Sequence, residues 1–236
     1  MKKIIHKAAT RGFADHGWLK SNHTFSFANY YNPERMNFGM LRVLNDDVVQ
    51  PKMGFGAHPH RNMEIISIPI SGALSHKDSM DNKRAIEVGE VQVMSAGTGL
   101  THSEFNDSNT DPVNFLQLWI LPEQENVEPY YNQKKFEEEG RKNKFQVLVS
   151  PKTKSVDGSL PINQLAYISM IDIEEGFNAE YQFKNAAYFF LIEGEVVVGN
   201  ETLQKRDAIG ISETENVSIN ATKDSKLLII DVPLLD

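Results

Sequence analysis

Short runs of β-branched and aromatic residues, separated by Gly, Pro, Asn and Asp, recur along almost the whole chain of 236 residues. Runs of this length with such punctuation are typical of β-strands joined by turns. The clearest examples are residues 40–44, 64–70, 90–94, 115–121, 145–149, 186–191 and 227–232. Strands of that size at close spacing predict an all-β protein built as a sandwich, jelly roll or barrel.

One segment, residues 132–144, has a different character, because Lys and Glu crowd around Phe136. This charge pattern predicts a short solvated helix that connects two domains. All seven histidines precede the segment, and none follows it: His6, His16, His23, His58, His60, His76 and His102. We therefore expect two tandem β-barrels, the first (1–131) with a functional site and the second (145–236) without one.

Composition excludes several classes of function. The formal net charge is -8 and the sequence pI is about 5.4, which argues against direct binding of nucleic acid, since neutralising phosphates requires clustered Lys and Arg. No apolar run is long enough for a signal peptide or a membrane span, so no membrane association is expected. The chain has no Cys, which rules out disulfides and thiolate metal sites and fits a cytoplasmic protein.

Two short patterns carry the candidate chemistry: His58-Pro59-His60 and His102-Ser103-Glu104. Residues two apart on a strand share a face, so the side chains of His58 and His60 would point the same way, as would those of His102 and Glu104. Three imidazoles and one carboxylate suit a divalent transition metal, iron especially, and leave coordination positions free. The alternative is that these four residues are surface or hydrogen-bonded core residues.

The sequence around the two patterns favours a site. Gly54 and Gly56 allow the backbone to come close before His58, and the loop at residues 95–99 would direct a strand towards the barrel interior. The loop lacks the Gly-Lys-Ser/Thr ending of a phosphate-binding loop.

The remaining histidines have simpler interpretations. We expect His6, His16 and His23 to be surface or capping residues, and His76 to lie on an outer loop near the barrel mouth. The large apolar side chains of Met53, Phe55, Met63 and Trp119 would either line a pocket or pack in the core.

The residues around both patterns resemble the two cupin motifs. The first motif is matched by Gly54, His58, His60, Glu64 and Gly72, and the second by Gly89, Gly97, Gly99, His102 and Asn106. More narrowly, the chain resembles the pirins, a bicupin family. The segments that carry this likeness are 25–28, 38–47, 58–64, 76–80 and 96–104. The likeness is dense over residues 10–122 and thin afterwards.

The resemblance implies a fold of two tandem cupin (jelly-roll) barrels and a set of ligands. Pirins take their carboxylate from the His-Ser-Glu segment, so His58, His60, His102 and Glu104 would hold one divalent metal. Fe(II) is favoured, with nickel, copper, manganese, cobalt and zinc as alternatives. Glu64, the ligand in ordinary cupins, would instead orient a ligand imidazole or bind Arg61, although a ligand role for it stays open.

The resemblance also implies an activity: a quercetin 2,3-dioxygenase reaction, in which O2 opens the central ring of a quercetin-like flavonol with loss of carbon monoxide. Glu104 would take the proton of the 3-hydroxyl group. The alternative is an iron-binding, redox-sensitive regulator that binds other proteins without turnover. A cupin isomerase or small-molecule binder is a third possibility. The native metal, the physiological substrate and the oligomeric state are not fixed by the sequence.

Overall fold

The computed structural model describes residues 1–235, which form strands and three one-turn 3₁₀ helices (Ala8–Thr10, Glu138–Gly140 and Lys152–Lys154). The predicted all-β class is confirmed. Within residues 1–235, no helix has the length and apolar character needed to cross a membrane.

The first barrel consists of two antiparallel sheets that face each other. The large sheet has the order β12 (Tyr130–Lys135), β9 (Glu90–Ser95), β6 (Glu64–Ser71), β11 (Val113–Ile120), β4 (Leu41–Val49), β3 (Leu19–His23) and β2 (Gly12–Asp15). The small sheet has the order β5 (Gly54–His60), β10 (Leu100–Asn106), β7 (Ala73–Asp78) and β8 (Lys83–Glu87).

The second barrel has the same plan, except that two strands at one edge of its large sheet pair in parallel. Its large sheet has the order β1 (Lys2–His6), β20 (Ala208–Ser212), β17 (Ala186–Glu193), β22 (Ser225–Val232), β15 (Tyr167–Ile173), β13 (Gln146–Pro151) and β14 (Leu160–Ile162). Its small sheet has the order β16 (Asn178–Gln182), β21 (Asn216–Ala221), β18 (Glu195–Val198) and β19 (Glu201–Gln204).

The two large sheets pack against each other, so the largest apolar cluster lies between the barrels. On β11, Leu116, Leu118 and Ile120 point into this cluster, where they join residues of the second barrel such as Phe190 and Ile230. The alternate residues of β11 point into the first barrel, as strand geometry requires. The central strands of each large sheet, such as β6 and β17, are therefore buried on both faces.

The interiors of the two barrels differ. The second barrel is filled by a continuous apolar cluster that includes Phe189, Ile209 and Ile229. The first barrel has two smaller apolar clusters, one around Phe115 and Leu74 and the other around Ile65 and Met94. Polar residues lie between these two clusters, and they contain the candidate site.

All seven predicted strands overlap observed strands, namely β4, β6, β9, β11, β13, β17 and β22, with bounds that differ by several residues in β4 and by one or two in most others. The predicted helix over residues 132–144 is wrong. Residues up to Lys135 form β12, which pairs with β9, and only Glu138–Gly140 make a helical turn. Phe136 is buried in the cluster between the barrels. This packing and the sheet hydrogen bonds outweigh the helical propensity of the Lys and Glu residues.

We retain the division into a first barrel (1–131) and a second barrel (145–236) as a proposal, with two segments that cross it. β1 pairs with β20 and so lies on the large sheet of the second barrel. β12, which extends beyond residue 131, completes the large sheet of the first barrel.

Replacing Phe190 by Ala should lower the free energy of unfolding by about 3–5 kcal/mol, because the ring is fully buried between the two large sheets. Urea denaturation followed by circular dichroism measures this loss. Phe177, which is 37% exposed, provides the control, and its change to Ala should cost about 0.5 kcal/mol. Equal losses for the two variants would contradict the assignment of Phe190 to a shared core.

His6 is buried, contrary to the predicted surface or capping role, and its Nδ1 lies 2.7 Å from the Tyr188 hydroxyl. Burial lowers the pKa of His6 to about 4, so the unfolded chain binds a proton between pH 6.5 and 4 that the folded chain does not. The contribution of His6 to stability is therefore lost as the pH falls through this range.

His6→Asn should be less stable than the wild type at pH 7, and the difference should narrow towards pH 4.5. Urea midpoints at several pH values measure the difference. A gap that stays constant from pH 7 to pH 4.5 would show that the imidazole does not titrate differently in the folded state.

Candidate metal centre

The adjacent strands β5 and β10 bring the three predicted histidines together. His58 and His60 lie two apart on β5, and His102 on β10 is paired directly with His58. The ring centroids are 4.9 Å apart for His58 and His60, 4.4 Å for His58 and His102, and 4.9 Å for His60 and His102. One nitrogen from each ring lies within 4.8 Å of the others. Three imidazoles thus converge on one point.

Backbone geometry fixes two features of this arrangement. The Nδ1–H of His58 donates to the Gly56 carbonyl (2.8 Å), which leaves Nε2 as a free lone pair. Gly54 is needed for the close approach of β5 and β10, because a Cβ atom there would lie 2.2 Å from the Glu104 carbonyl oxygen. The expected role of Gly54 is borne out, whereas a Cβ at Gly56 would meet nothing within 4 Å.

The imidazoles of His60 and His102 are held in their neutral form. Burial, and next the neighbouring imidazole of His58, lower the pKa of His60 to about 4. Burial and then the imidazoles of His58, His60 and His76 lower the pKa of His102 to about 2. Both ring nitrogens of His102 are buried without a hydrogen-bond partner. Buried neutral imidazoles with free nitrogens are suited to a cation.

Glu104 follows a β-bulge on β10, and its side chain is 1% exposed. The Gln117 amide donates to its Oε2 (2.7 Å), and the Ser67 hydroxyl donates to its Oε1 (3.3 Å). The indole N–H of Trp119 donates to Oε1 of Gln117 (3.2 Å) and so orients that amide. Burial raises the pKa of Glu104, and the hydrogen bond from Gln117 opposes this effect. A nearby cation would stabilise the ionised form.

His76 lies beside the predicted ligands, at a position that the sequence does not predict. It lies on β7, paired directly with Glu104 on β10, and is 1% exposed, so its expected position on an outer loop is wrong. Its Nε2 lies 3.0 Å from Oδ2 of Asp78, and its ring stacks on Tyr131. One nitrogen of His76 lies within 4.8 Å of ligand atoms of both His102 and Glu104. Glu104 therefore joins a second group, with His76 and His102, that shares only His102 with the group of three imidazoles.

Glu64 points away from the site, so its predicted roles, orienting an imidazole or binding Arg61, are wrong. Its carboxylate accepts hydrogen bonds from the Ser95 hydroxyl (2.5 Å) and from the Asn163 backbone N–H of the second barrel (3.2 Å). It stands on β6 in alternation with Ser67, which faces Glu104, so the two side chains lie on opposite faces of the sheet. Glu64 therefore joins the two barrels.

A cavity of about 580 Å³ leads to this end of the barrel, and His58, His60 and Glu104 are among its lining residues. This volume lies within the range of small-molecule sites. Much of the wall is aromatic, with Phe13, Trp18, Phe27, Tyr30, Phe55 and Trp119. Of the residues expected to line a pocket or pack, Phe55 and Trp119 line the cavity, Met63 packs beside the core and Met53 is exposed.

Two family models match the chain: "Pirin" over residues 5–120 and "Quercetinase C-terminal cupin domain" over residues 147–232. A quercetin 2,3-dioxygenase of Escherichia coli K12 is 40% identical over 232 residues, which are 97% of this chain and 98% of that protein. The chain belongs to the pirin family. A putative quercetin 2,3-dioxygenase of Zymomonas mobilis is 42% identical over 223 residues, 93% of each protein.

Solved pirin structures confirm the cupin fold. The crystal structure of the bacterial pirin YhhW from E. coli in complex with nickel(II) superposes with a TM-score of 0.93 and 38% identity, covering 99% of this chain and 100% of that one. The predicted family and two-barrel cupin fold are therefore confirmed. The four ligands, His58, His60, His102 and Glu104, stay a prediction, which the convergence of the imidazoles supports.

His102→Ala should weaken metal binding by about 100-fold or more, because it removes the imidazole common to both groups of ligand atoms. Nickel(II) is added at one equivalent, the protein is desalted, and elemental analysis gives the metal-to-protein ratio. Two control variants should keep the ratio near that of the wild type: His16→Ala, at an exposed histidine, and Glu64→Gln, at the carboxylate between the barrels. Full retention of nickel by His102→Ala would disprove the centre.

Proposed function

We propose that this pirin is a metal-dependent dioxygenase that opens the central ring of quercetin-like flavonols with O2. One observation carries the proposal: three converging imidazoles and a buried carboxylate lie at a cavity lined by aromatic side chains and large enough for such a substrate. The E. coli relative with 40% identity carries the name of this activity.

We assign the metal to His58, His60, His102 and Glu104. This donor set of nitrogens and one carboxylate oxygen suits Fe(II), Ni(II) and the other divalent transition ions, and we favour Fe(II). A bound ion of this kind would supply Lewis acidity towards substrate oxygens and the electron chemistry that O2 requires. Neutral imidazoles add no charge, so the site keeps a positive character that favours an anionic substrate oxygen.

Glu104 is the base in this proposal. A flavonol that enters with its 3-hydroxyl and 4-carbonyl towards the imidazoles places the hydroxyl proton near this carboxylate. The Glu104 carboxylate is buried beside the imidazoles and lines the cavity, so it is placed to accept this proton. Gln117 and Ser67 hold both carboxylate oxygens and so fix the direction from which the proton is accepted.

The aromatic wall supplies binding and keeps water away from the reacting oxygens. The Trp119 ring meets His60 edge to face at 4.9 Å and Phe27 at 5.3 Å, so it forms a rigid boundary beside the imidazoles. A flat aromatic substrate fits between such side chains. These features and the names of the relatives favour the dioxygenase over the redox-sensitive regulator.

The test is an aerobic assay with pure protein loaded separately with iron, nickel, copper, manganese, cobalt or zinc. We expect at least one form, the ferrous one in particular, to consume quercetin and O2 in equal amounts and to release carbon monoxide. Absorbance, an oxygen electrode and gas analysis measure the three quantities. If no metal-loaded form consumes quercetin, the proposed activity is wrong.

Glu104→Gln should lower kcat by about 10²- to 10⁴-fold at saturating metal, because the amide cannot accept the hydroxyl proton. Metal content is measured on the same sample, so loss of the base can be distinguished from loss of the ion. Glu64→Gln is the matched control, since it makes the same chemical change at a buried carboxylate outside the site. Wild-type kcat in a fully loaded Glu104→Gln variant would disprove the role of Glu104.

A further inference from the structure

A row of polar side chains crosses the inner face of the large sheet in the first barrel. Six strands each contribute one residue at the same level of the register: His23, Asn45, Gln117, Ser67, Gln92 and Gln133. The apolar clusters around Phe115 and Ile65 flank the row on its two sides. A polar row inside an apolar barrel costs free energy unless its groups are bound.

The middle of this row is explained by the metal centre, because Gln117 and Ser67 hold Glu104. The metal centre does not explain the end of the row on β3 and β4. His23 is 3% exposed and Asn45 is 2% exposed, and Nδ1 of His23 and Oδ1 of Asn45 are buried without a hydrogen-bond partner. The predicted surface or capping role of His23 is therefore wrong.

Asp47 lies two residues beyond Asn45 on the same strand and the same face. Its carboxylate accepts a hydrogen bond from the Ser21 hydroxyl, and no cationic side chain within residues 1–235 pairs with it. Asp46, which points to the opposite face, instead pairs with Arg11 (3.2 Å) and Arg206 (3.4 Å). A buried carboxyl without a cation is expensive to maintain, and such groups concentrate at functional sites.

His23, Asn45 and Asp47 all line the cavity that also contains His58, His60 and Glu104. Asn45 is one strand away from Gln117 and His23 is two strands away. At the spacing of strands in a sheet, these residues lie about 5 Å and about 10 Å along the row from the glutamine that holds Glu104. A planar molecule at the metal centre would extend along this row.

We propose that His23, Asn45 and Asp47 form a subsite that binds a phenolic hydroxyl group of the substrate, on the wall of the cavity away from the imidazoles. The proposal rests on the proposed function, because it assumes that a flavonol occupies the cavity. It adds a determinant of specificity: flavonols with hydroxyl groups beyond the 3-position are preferred.

The chemistry of the subsite suits a hydroxyl group better than a charged one. Asn45 and Asp47 present acceptor oxygens, and a phenol is a good donor to both. Burial raises the pKa of Asp47 to about 7, so near neutral pH its carboxyl group can either accept or donate. Burial lowers the pKa of His23 and keeps its imidazole neutral.

The test compares quercetin with 3-hydroxyflavone, which keeps the 3-hydroxyl and 4-carbonyl groups but has no other hydroxyl. Dissociation constants for both are measured without O2 on nickel-loaded protein, from the change in flavonol absorbance. The wild type should bind quercetin about 10- to 100-fold more tightly than 3-hydroxyflavone, because the analogue leaves the buried acceptors unpaired.

Asp47→Asn should reduce this preference by about tenfold, since the amide cannot act as a charged acceptor. Asn45→Leu removes the unpaired Oδ1 at similar volume, should reduce the preference in the same direction and serves as a second variant if Asp47→Asn does not fold. Asp46→Asn is the matched control on the opposite face and should keep the preference. General damage to the barrel would weaken both ligands and leave their ratio unchanged.

Equal affinity of the wild type for the two flavonols, or an unchanged ratio in both the Asp47 and Asn45 variants, would overturn the subsite. If only the dioxygenase proposal fails, the protein still binds quercetin more tightly than 3-hydroxyflavone, but no metal-loaded form consumes O2. A protein that binds neither flavonol would overturn both proposals.

Discussion

The apolar contact between the two seven-stranded sheets is the interaction on which the rest of the structure depends. Each barrel covers one face of the other's large sheet, and residues from both, such as Leu118 and Ile230, form one cluster. The burial of this cluster stabilises a molecule whose first barrel has an interior partly given over to polar groups. The second barrel, whose interior holds a continuous apolar cluster, provides one face of that shared core.

Because the shared apolar cluster stabilises both barrels, the interior of the first barrel can hold buried polar groups. Glu104 is buried with its raised pKa, and His102 carries two nitrogens without partners. Burying these groups costs free energy, which the apolar cluster between the barrels helps to offset. Glu64, on the other face of the same sheet, connects directly to Asn163 of the second barrel. One sheet thus carries the candidate chemistry on one face and the supporting contact on the other.

The sequence predicts the strands of the large sheets well because these strands are buried on both faces and read as continuous apolar runs. β6 and β17 are examples. The small sheets have an exposed face and weaker patterns, so β5 is predicted through its histidines and not through its apolar residues. Local charge predicts a helix at 132–144, but the pairing of β12 with β9 depends on residues about 40 positions away.

The site residues show the same difference between local patterns, which the sequence reveals, and strand pairing, which it does not. The spacing of His58 and His60 predicts that both imidazoles share one face of β5. The approach of His102 depends on the pairing of β10 with β5, about 40 positions apart in the chain. His23 has no such partner in sequence, and its place on the cavity wall follows only from the register of β3 and β4. His76 and Asp78 are spaced two apart on β7, and this His-x-Asp pattern is a signal that could have located the buried pair.

β1 comes first in the chain, yet it forms the edge strand of the second barrel's large sheet. The first residues of the chain protect the side of β20 in the second barrel, while the rest of the N-terminal half forms the first barrel. A fragment that begins after the connector would leave the backbone groups of β20 without their partner strand, and such open edges promote association between molecules. The two barrels are therefore interlocked through β1, and a fragment of the second barrel alone would lack one of its edge strands.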